Sequence, residues 1–230
     1  MAITEKEFEA YMKGELKPGD TFKFECEMCG NCCRKRKEPI VITGVDVFII
    51  AKALNVDPVD ILTKHTELYI GDNSHLPVIV LKERLDGSCS FLRKGKCSIQ
   101  QNKPAVCALY PLGRFYDGRD QKFHYFVNPH TCQLSHNTGK EWTLQEWMAL
   151  FGLNKSEGMA MEWNKLLHGL SMVTYKMKKE DIQGKLLNVL LIAMYVGYDT
   201  NYSFIDQVRL HKEKVKKIFS SEFHKKVKFD

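Results

Sequence analysis

The stretch CEMCGNCC, Cys26 to Cys33, places four thiols in eight residues, and Arg34, Lys35, Arg36 and Lys37 follow at once. A Cys-x2-Cys step lets a turn bring two sulfurs to one metal or one cluster edge, and Cys26, Cys29 and Cys32 take that step twice. The same opening begins a bacterial ferredoxin run, whose fourth cysteine comes after three more residues. Here that position is Arg36, so a four-thiolate site must recruit from Cys89, Cys97, Cys107 or Cys132. Neighbouring side chains usually point apart, so Cys32 and Cys33 suggest two sites or one large one. One grouping sets Cys26, Cys29 and Cys32 with a distant cysteine and Cys33 with the other three. A rival grouping has three thiolates on a cluster that keeps one iron open to substrate.

Zinc modules usually close with two Cys-x2-Cys knuckles, or with a knuckle and paired histidines. The later cysteines are instead separated by seven, nine and twenty-four intervening residues. The spacing favours one or two iron–sulfur clusters, 4Fe–4S first, with a zinc-stabilised interaction module lacking catalytic activity as the alternative. His130 and His136 flank Cys132, and with His124 they are ligands or proton carriers if an iron is open. The plainer reading makes each a surface or hydrogen-bonded histidine.

A cytoplasmic setting is expected, because the N-terminus is charged and the longest nearly apolar run, 186–198, is too short to span a bilayer. Thiols stay reduced there, so an even cysteine count does not imply disulfides. A net charge of +6 and a pI near 8.8 fall short of a dedicated nucleic-acid binder. Arg34 to Lys37 either offset the charge of a thiolate cluster and dock an acidic protein or redox partner, or form a solvated loop. The segment 209–228, with eight basic residues against two glutamates, is a basic amphipathic helix, most simply a terminal helix with a wet face. No Gly-rich phosphate loop, serine elbow or pair of catalytic carboxylates stands out.

These residues need elements to hold them. All eight cysteines lie in the first 132 of 230 residues, which divides the chain into a cysteine-cluster metal-binding region, 1–140, and a helical region, 141–230. The expected fold is α+β, mostly helical: a small irregular cysteine-rich core with short strands, then a C-terminal helical bundle. Thr43 with Asp46, and Thr143 with Glu146, are capping boxes that open helices, the first running from Gly44 to Leu54. Asp57-Pro58 starts a shorter helix, and Leu76 to Arg84 reads as a strand. Pro104 suits the first turn of a short helix holding Cys107, which Pro111 ends. LGRFY and KFHYFV form a hairpin. Longer helices are expected over 156–178, 181–198 and 203–219. Phe91, Tyr110 and Phe115 either shield a cluster or pack a core; Trp142, Trp147, Trp163 and the C-terminal methionines either line a pocket or, more simply, fill the core.

The chain resembles a family of cysteine-cluster proteins named for a CxxCxxCC signature and described as zinc- or iron-chelating. CEMCGNCC carries the signature with its glycine, Gly30; VITGVDVFIIAKALNV, CSFL, CSI, KPAVCALYP and CQLSHNTGKEWTLQEW are similar to its later blocks in order. The resemblance runs from about Phe24 to Gly152 and gives all eight cysteines a place. Lys103 stands where the family commonly has arginine, and the block at Cys132 lacks the usual cysteine-proline-glycine. Flagellin lysine N-methylases carry a similar cysteine domain, so the resemblance implies an iron–sulfur cluster and, by analogy, lysine methylation with S-adenosylmethionine.

Overall fold

A computed structural model of the chain describes residues 9, 13–17, 19–26, 29–34, 39–128 and 139–229. In chain order come β1 (Thr21–Lys23), α1 (Asn31–Arg34), β2 (Val41–Ile42), α2 (Gly44–Leu54), α3 (Pro58–His65), β3 (Thr66–Ile70) and β4 (Pro77–Leu81). There follow β5 (Leu92–Arg93), β6 (Lys96–Cys97), α4 (Ala105–Leu109), β7 (Leu112–Asp117), β8 (Lys122–Val127), β9 (Glu141–Thr143) and α5 (Leu144–Leu150). The chain ends with α6 (Leu153–Thr174), α7 (Gly184–Leu191), a π-helical turn (Ile192–Val196) and α8 (Phe204–Glu222). The fold is α+β and mostly helical, with the short strands concentrated before the C-terminal helices.

The chain forms two compact units, and each is discontinuous in sequence. The first comprises residues 1–40 and 82–156; the second comprises 41–81 and 157–230, resuming inside α6.

In the first unit β1 pairs antiparallel with β9, Phe22 opposite Trp142, and β7 pairs with β8 as a hairpin. An apolar core gathers Phe22, Phe24, Leu109, Leu112, Tyr125, Trp147 and Met148. Trp147 sits edge-on to both Phe22 and Phe24, and its indole nitrogen donates to the Leu109 carbonyl at 3.0 Å. The second capping box forms as expected, with the Thr143 hydroxyl accepting from the Glu146 amide and the Glu146 carboxylate accepting from the Thr143 amide.

The second unit holds a three-stranded antiparallel sheet in the order β2-β4-β3. The first capping box opens α2 at Gly44, and an Asn55 in the left-handed region ends it. Thr174 on α6 donates to the Ser74 carbonyl at 2.6 Å, and Tyr195 donates to that of Pro77 at 2.9 Å. These bonds tie the β3–β4 segment to helices a hundred residues later. The expected helix over 181–198 begins instead at Gly184 and widens into the π turn, where the Gly197 amide reaches the Ile192 carbonyl. The turn leaves carbonyls for side chains to satisfy: Tyr198 donates to Ala193, and Trp163 donates to Met194 at 2.7 Å. Trp163 and Met194 are therefore core residues, not the lining of a ligand pocket.

A methyl group at Gly44 would collide with the Met194 carbonyl and the Trp163 indole nitrogen, whereas one at Gly158 meets only Ile205, at 3.8 Å. Gly44→Ala should destabilise this unit by at least about 2 kcal/mol, and Gly158→Ala should stabilise it by about 0.5–1 kcal/mol, in urea unfolding followed by tryptophan fluorescence. Equal effects of the two would show that Gly44 is not a packing constraint.

Candidate metal centre

Of the eight candidate ligands, Cys26, Cys29, Cys32, Cys33, Cys89, Cys97 and Cys107 are described and none is in a disulfide. Cys132, His130 and His136, with Lys35, Arg36 and Lys37, lie outside the described residues. α1 carries Cys32 and Cys33 on a single helical turn that buries nothing. Their sulfurs lie 3.9 Å apart, so the expectation that neighbouring side chains diverge is not met. Consecutive residues on one helical turn differ by about 100° in direction, which lets both sulfurs reach the same side.

Three further segments bring thiols to this pair. The Cys89 amide donates to the Cys33 carbonyl at 2.7 Å, which seats a buried Cys89 against α1. Cys97 ends a two-stranded hairpin, opposite Leu92, and the Ile99 amide is directed at its sulfur. α4 presents Ala108 and Leu109 to the apolar core while Cys107 interacts with Cys33. The folding of α4 on the core thus delivers a thiol to the centre.

The thiols feel one another. With Cys33 as hydrogen-bond donor, Cys32 is lowered to about 6, a shift that burial opposes and Lys103 assists. Cys33 is raised well above the ordinary thiol range, first by that donated bond, then by burial and by the charges of Cys32, Cys89 and Cys107. Burial raises Cys97, against the pull of the Ile99 amide and Lys103. Cys32, Cys33, Cys89, Cys97 and Cys107 therefore form one electrostatic group. Cys26, Cys29 and Cys32 are exposed, Cys33, Cys97 and Cys107 are half-buried, and Cys89 is buried.

Two cations serve the group. Lys103, whose ammonium lies 3.9 Å from the Phe151 ring centroid, favours the ionised forms of both Cys32 and Cys97. Sequence reasoning noted Lys103 only as a departure from the family; the signal was its place two residues before the helix that holds Cys107. Arg34 donates to the Cys29 carbonyl at 3.0 Å, and its guanidinium lies against Gly30 and Gly95. Both glycines have positive φ, and a Cβ on either would come within 3.2 Å of the guanidinium, so small residues make room for this bridge.

A family model, CxxCxxCC, described as a "putative zinc- or iron-chelating domain", matches residues 25–138. That segment belongs to the CxxCxxCC family. Zinc or iron chelation is what the family's description and the thiol-rich centre support together. No curated protein and no solved structure matches the chain. Beyond the CxxCxxCC segment, no helix among the described residues is long and apolar enough to cross a membrane.

The remaining candidates have other roles. Phe91 is buried, Tyr110 packs edge-on against Phe24, and Phe115 stacks on His124. His124 lies between carboxylates, its Nδ1 2.5 Å from Glu15 and its Nε2 3.0 Å from Asp120. The Glu15 bond raises the His124 pKa, with burial opposing and Asp120 adding to it. His124, Asp120 and Asp117 bring their ligand atoms within 4.8 Å of one another, but Arg119 already pairs with Asp117 and holds its carboxyl at about 2.

Because the folded His124 pKa lies above its unfolded value of about 6.5, its ion pairs stabilise fully below that value and are lost as pH rises through the folded pKa. Glu15→Gln should therefore destabilise the protein more near pH 5.5 than near pH 9, measured as the urea midpoint against wild type. A pH-independent difference would remove the charged His124 from the account.

Proposed function

We propose that the thiols of the CxxCxxCC segment hold one or two iron–sulfur clusters, 4Fe–4S in type, in a cytoplasmic protein with a redox or cluster-assisted role. The ligands are drawn from Cys26, Cys29, Cys32, Cys33, Cys89, Cys97, Cys107 and Cys132. The observation that carries this reading is the breadth of the thiol group. A single tetrahedral ion at a zinc–sulfur distance of about 2.3 Å needs its sulfurs about 3.8 Å apart. Among the described residues no three thiols come within 4.8 Å of one another, although five share one electrostatic group. A cluster spreads its thiolates over separate irons and accepts that wider set.

The donor chemistry fits. Soft thiolates, an amide aimed at the Cys97 sulfur and the cation of Lys103 all favour a thiolate-bound metal, and cationic neighbours raise a cluster's reduction potential. When bound, a cluster would supply one-electron chemistry or an iron that binds substrate. Lysine methylation with S-adenosylmethionine rests on the family analogy alone. Zinc is the second reading, favoured by the 3.9 Å Cys32–Cys33 pair, which matches one edge of a single-ion site.

Protein purified without oxygen should be brown, absorb broadly near about 400 nm and release acid-labile sulfide. Serine replacements at each cysteine should abolish the absorbance in groups that report shared clusters. Colourless, folded protein with stoichiometric zinc and no sulfide would overturn the cluster and leave the zinc module.

A further inference from the structure

The hairpin Leu92–Cys97 ends in a candidate ligand, yet its outward side chains have no part in holding metal. Its two-residue turn, Lys94 and Gly95, has positive φ at both positions, the tight form that fits a twisted two-stranded ribbon. Lys94 and Lys96 are exposed and take part in no ion pair among the described residues. Arg93 and Arg84 converge on one carbonyl, that of Ser90, at 2.6 and 3.2 Å. The Arg34 guanidinium lies against the same turn at Gly95, and its carbonyl would lie 3.8 Å from a Cβ at Gly87. The loop 84–87 is closed by the Gly87 amide on the Arg84 carbonyl, and its Leu85 is fully exposed. Arg34, Arg84, Arg93, Lys94 and Lys96 thus lie on the hairpin and the segments bonded to it, and an exposed leucine stands on the adjoining loop.

We propose that this surface, the 92–97 hairpin with the 84–87 loop, docks an acidic protein partner beside the metal centre. The arginines are held by backbone carbonyls before any partner arrives, which lowers the ordering cost of binding carboxylates. An exposed apolar side chain close in sequence to charged ones is a combination that protein interfaces use. The single aromatic residue in 82–97, Phe91, is buried, so no platform is offered for base stacking. The cations together with the exposed Leu85 therefore favour a carboxylate-rich protein face, which offers apolar surface as well, over a phosphate backbone, which offers none. That the partner serves a metal centre rests on the metal-binding reading; the docking surface itself does not.

The test titrates the full-length protein with a fluorescent peptide rich in Asp, Glu and Leu, with an oligouridylate of equal length, and with vesicles containing anionic lipid. Metal content and circular dichroism are recorded on each sample. The peptide should bind, with affinity falling as salt rises. Lys94→Glu combined with Lys96→Glu should weaken it by about tenfold or more at low salt, and Leu85→Ser by a few-fold. Lys214→Glu combined with Lys217→Glu, on the exposed basic face of α8, should change it by less than about twofold. Absence of peptide binding, an equal or larger loss in the α8 variant, or tighter binding of oligouridylate or vesicles would overturn the proposal. Metal-free protein that still binds the peptide through the hairpin would count against the metal reading alone.

Discussion

Five thiols of the first unit bear on one another's ionisation, and the strongest link among them is the hydrogen bond that Cys33 donates to Cys32. Cys33 is held neutral first by that bond, then by burial and by the charges of Cys32, Cys89 and Cys107. A metal needs these sulfurs as thiolates, so a cation among them removes the repulsion and releases their protons. Lys103 supplies part of that positive charge in advance, and Arg34 holds the Cys29 carbonyl of the backbone that presents the thiols.

The centre is assembled from segments whose own packing is slight. α1 buries no residue, and β5 and β6 contribute two residues each. Order reaches them from outside: from the Trp147 core through α4, from the Cys33–Cys89 backbone bond, and from Arg34 between two glycines. On the proposed reading the metal contributes the remaining constraint, as it does in small domains whose folding is coupled to metal binding. The exposed basic hairpin is then rigid for the same reason that Cys97 is in place.

What could be read locally was read well. The boxes Thr43/Asp46 and Thr143/Glu146 concern a side chain and an amide three residues away, and both form where expected. Helix α2 spans the expected Gly44 to Leu54, and the helix of Cys107 stops before Pro111. The cysteine spacing pointed to metal binding, and the zinc- or iron-chelating family model supports that much. The long-range pairings were not legible. Nothing near Thr21 signals that its strand meets Thr143, and nothing near Ser74 signals a hydroxyl from Thr174. The interleaving of 41–81 with the C-terminal helices is written in such bonds, which no periodicity contains. Cys32 and Cys33 failed expectation for a local reason: they lie on one short helical turn, where a strand would have sent them to opposite faces.

Hydrogen exchange of backbone amides, read before and after the metal is removed by a chelator, tests the dependence of the thiol centre on its cation most directly. Chelation should abolish protection in 29–34 and 89–107, while 41–81 and 157–229, which hold their own buried core, keep theirs. Protection in 29–34 and 89–107 that survives complete removal of metal would contradict the account.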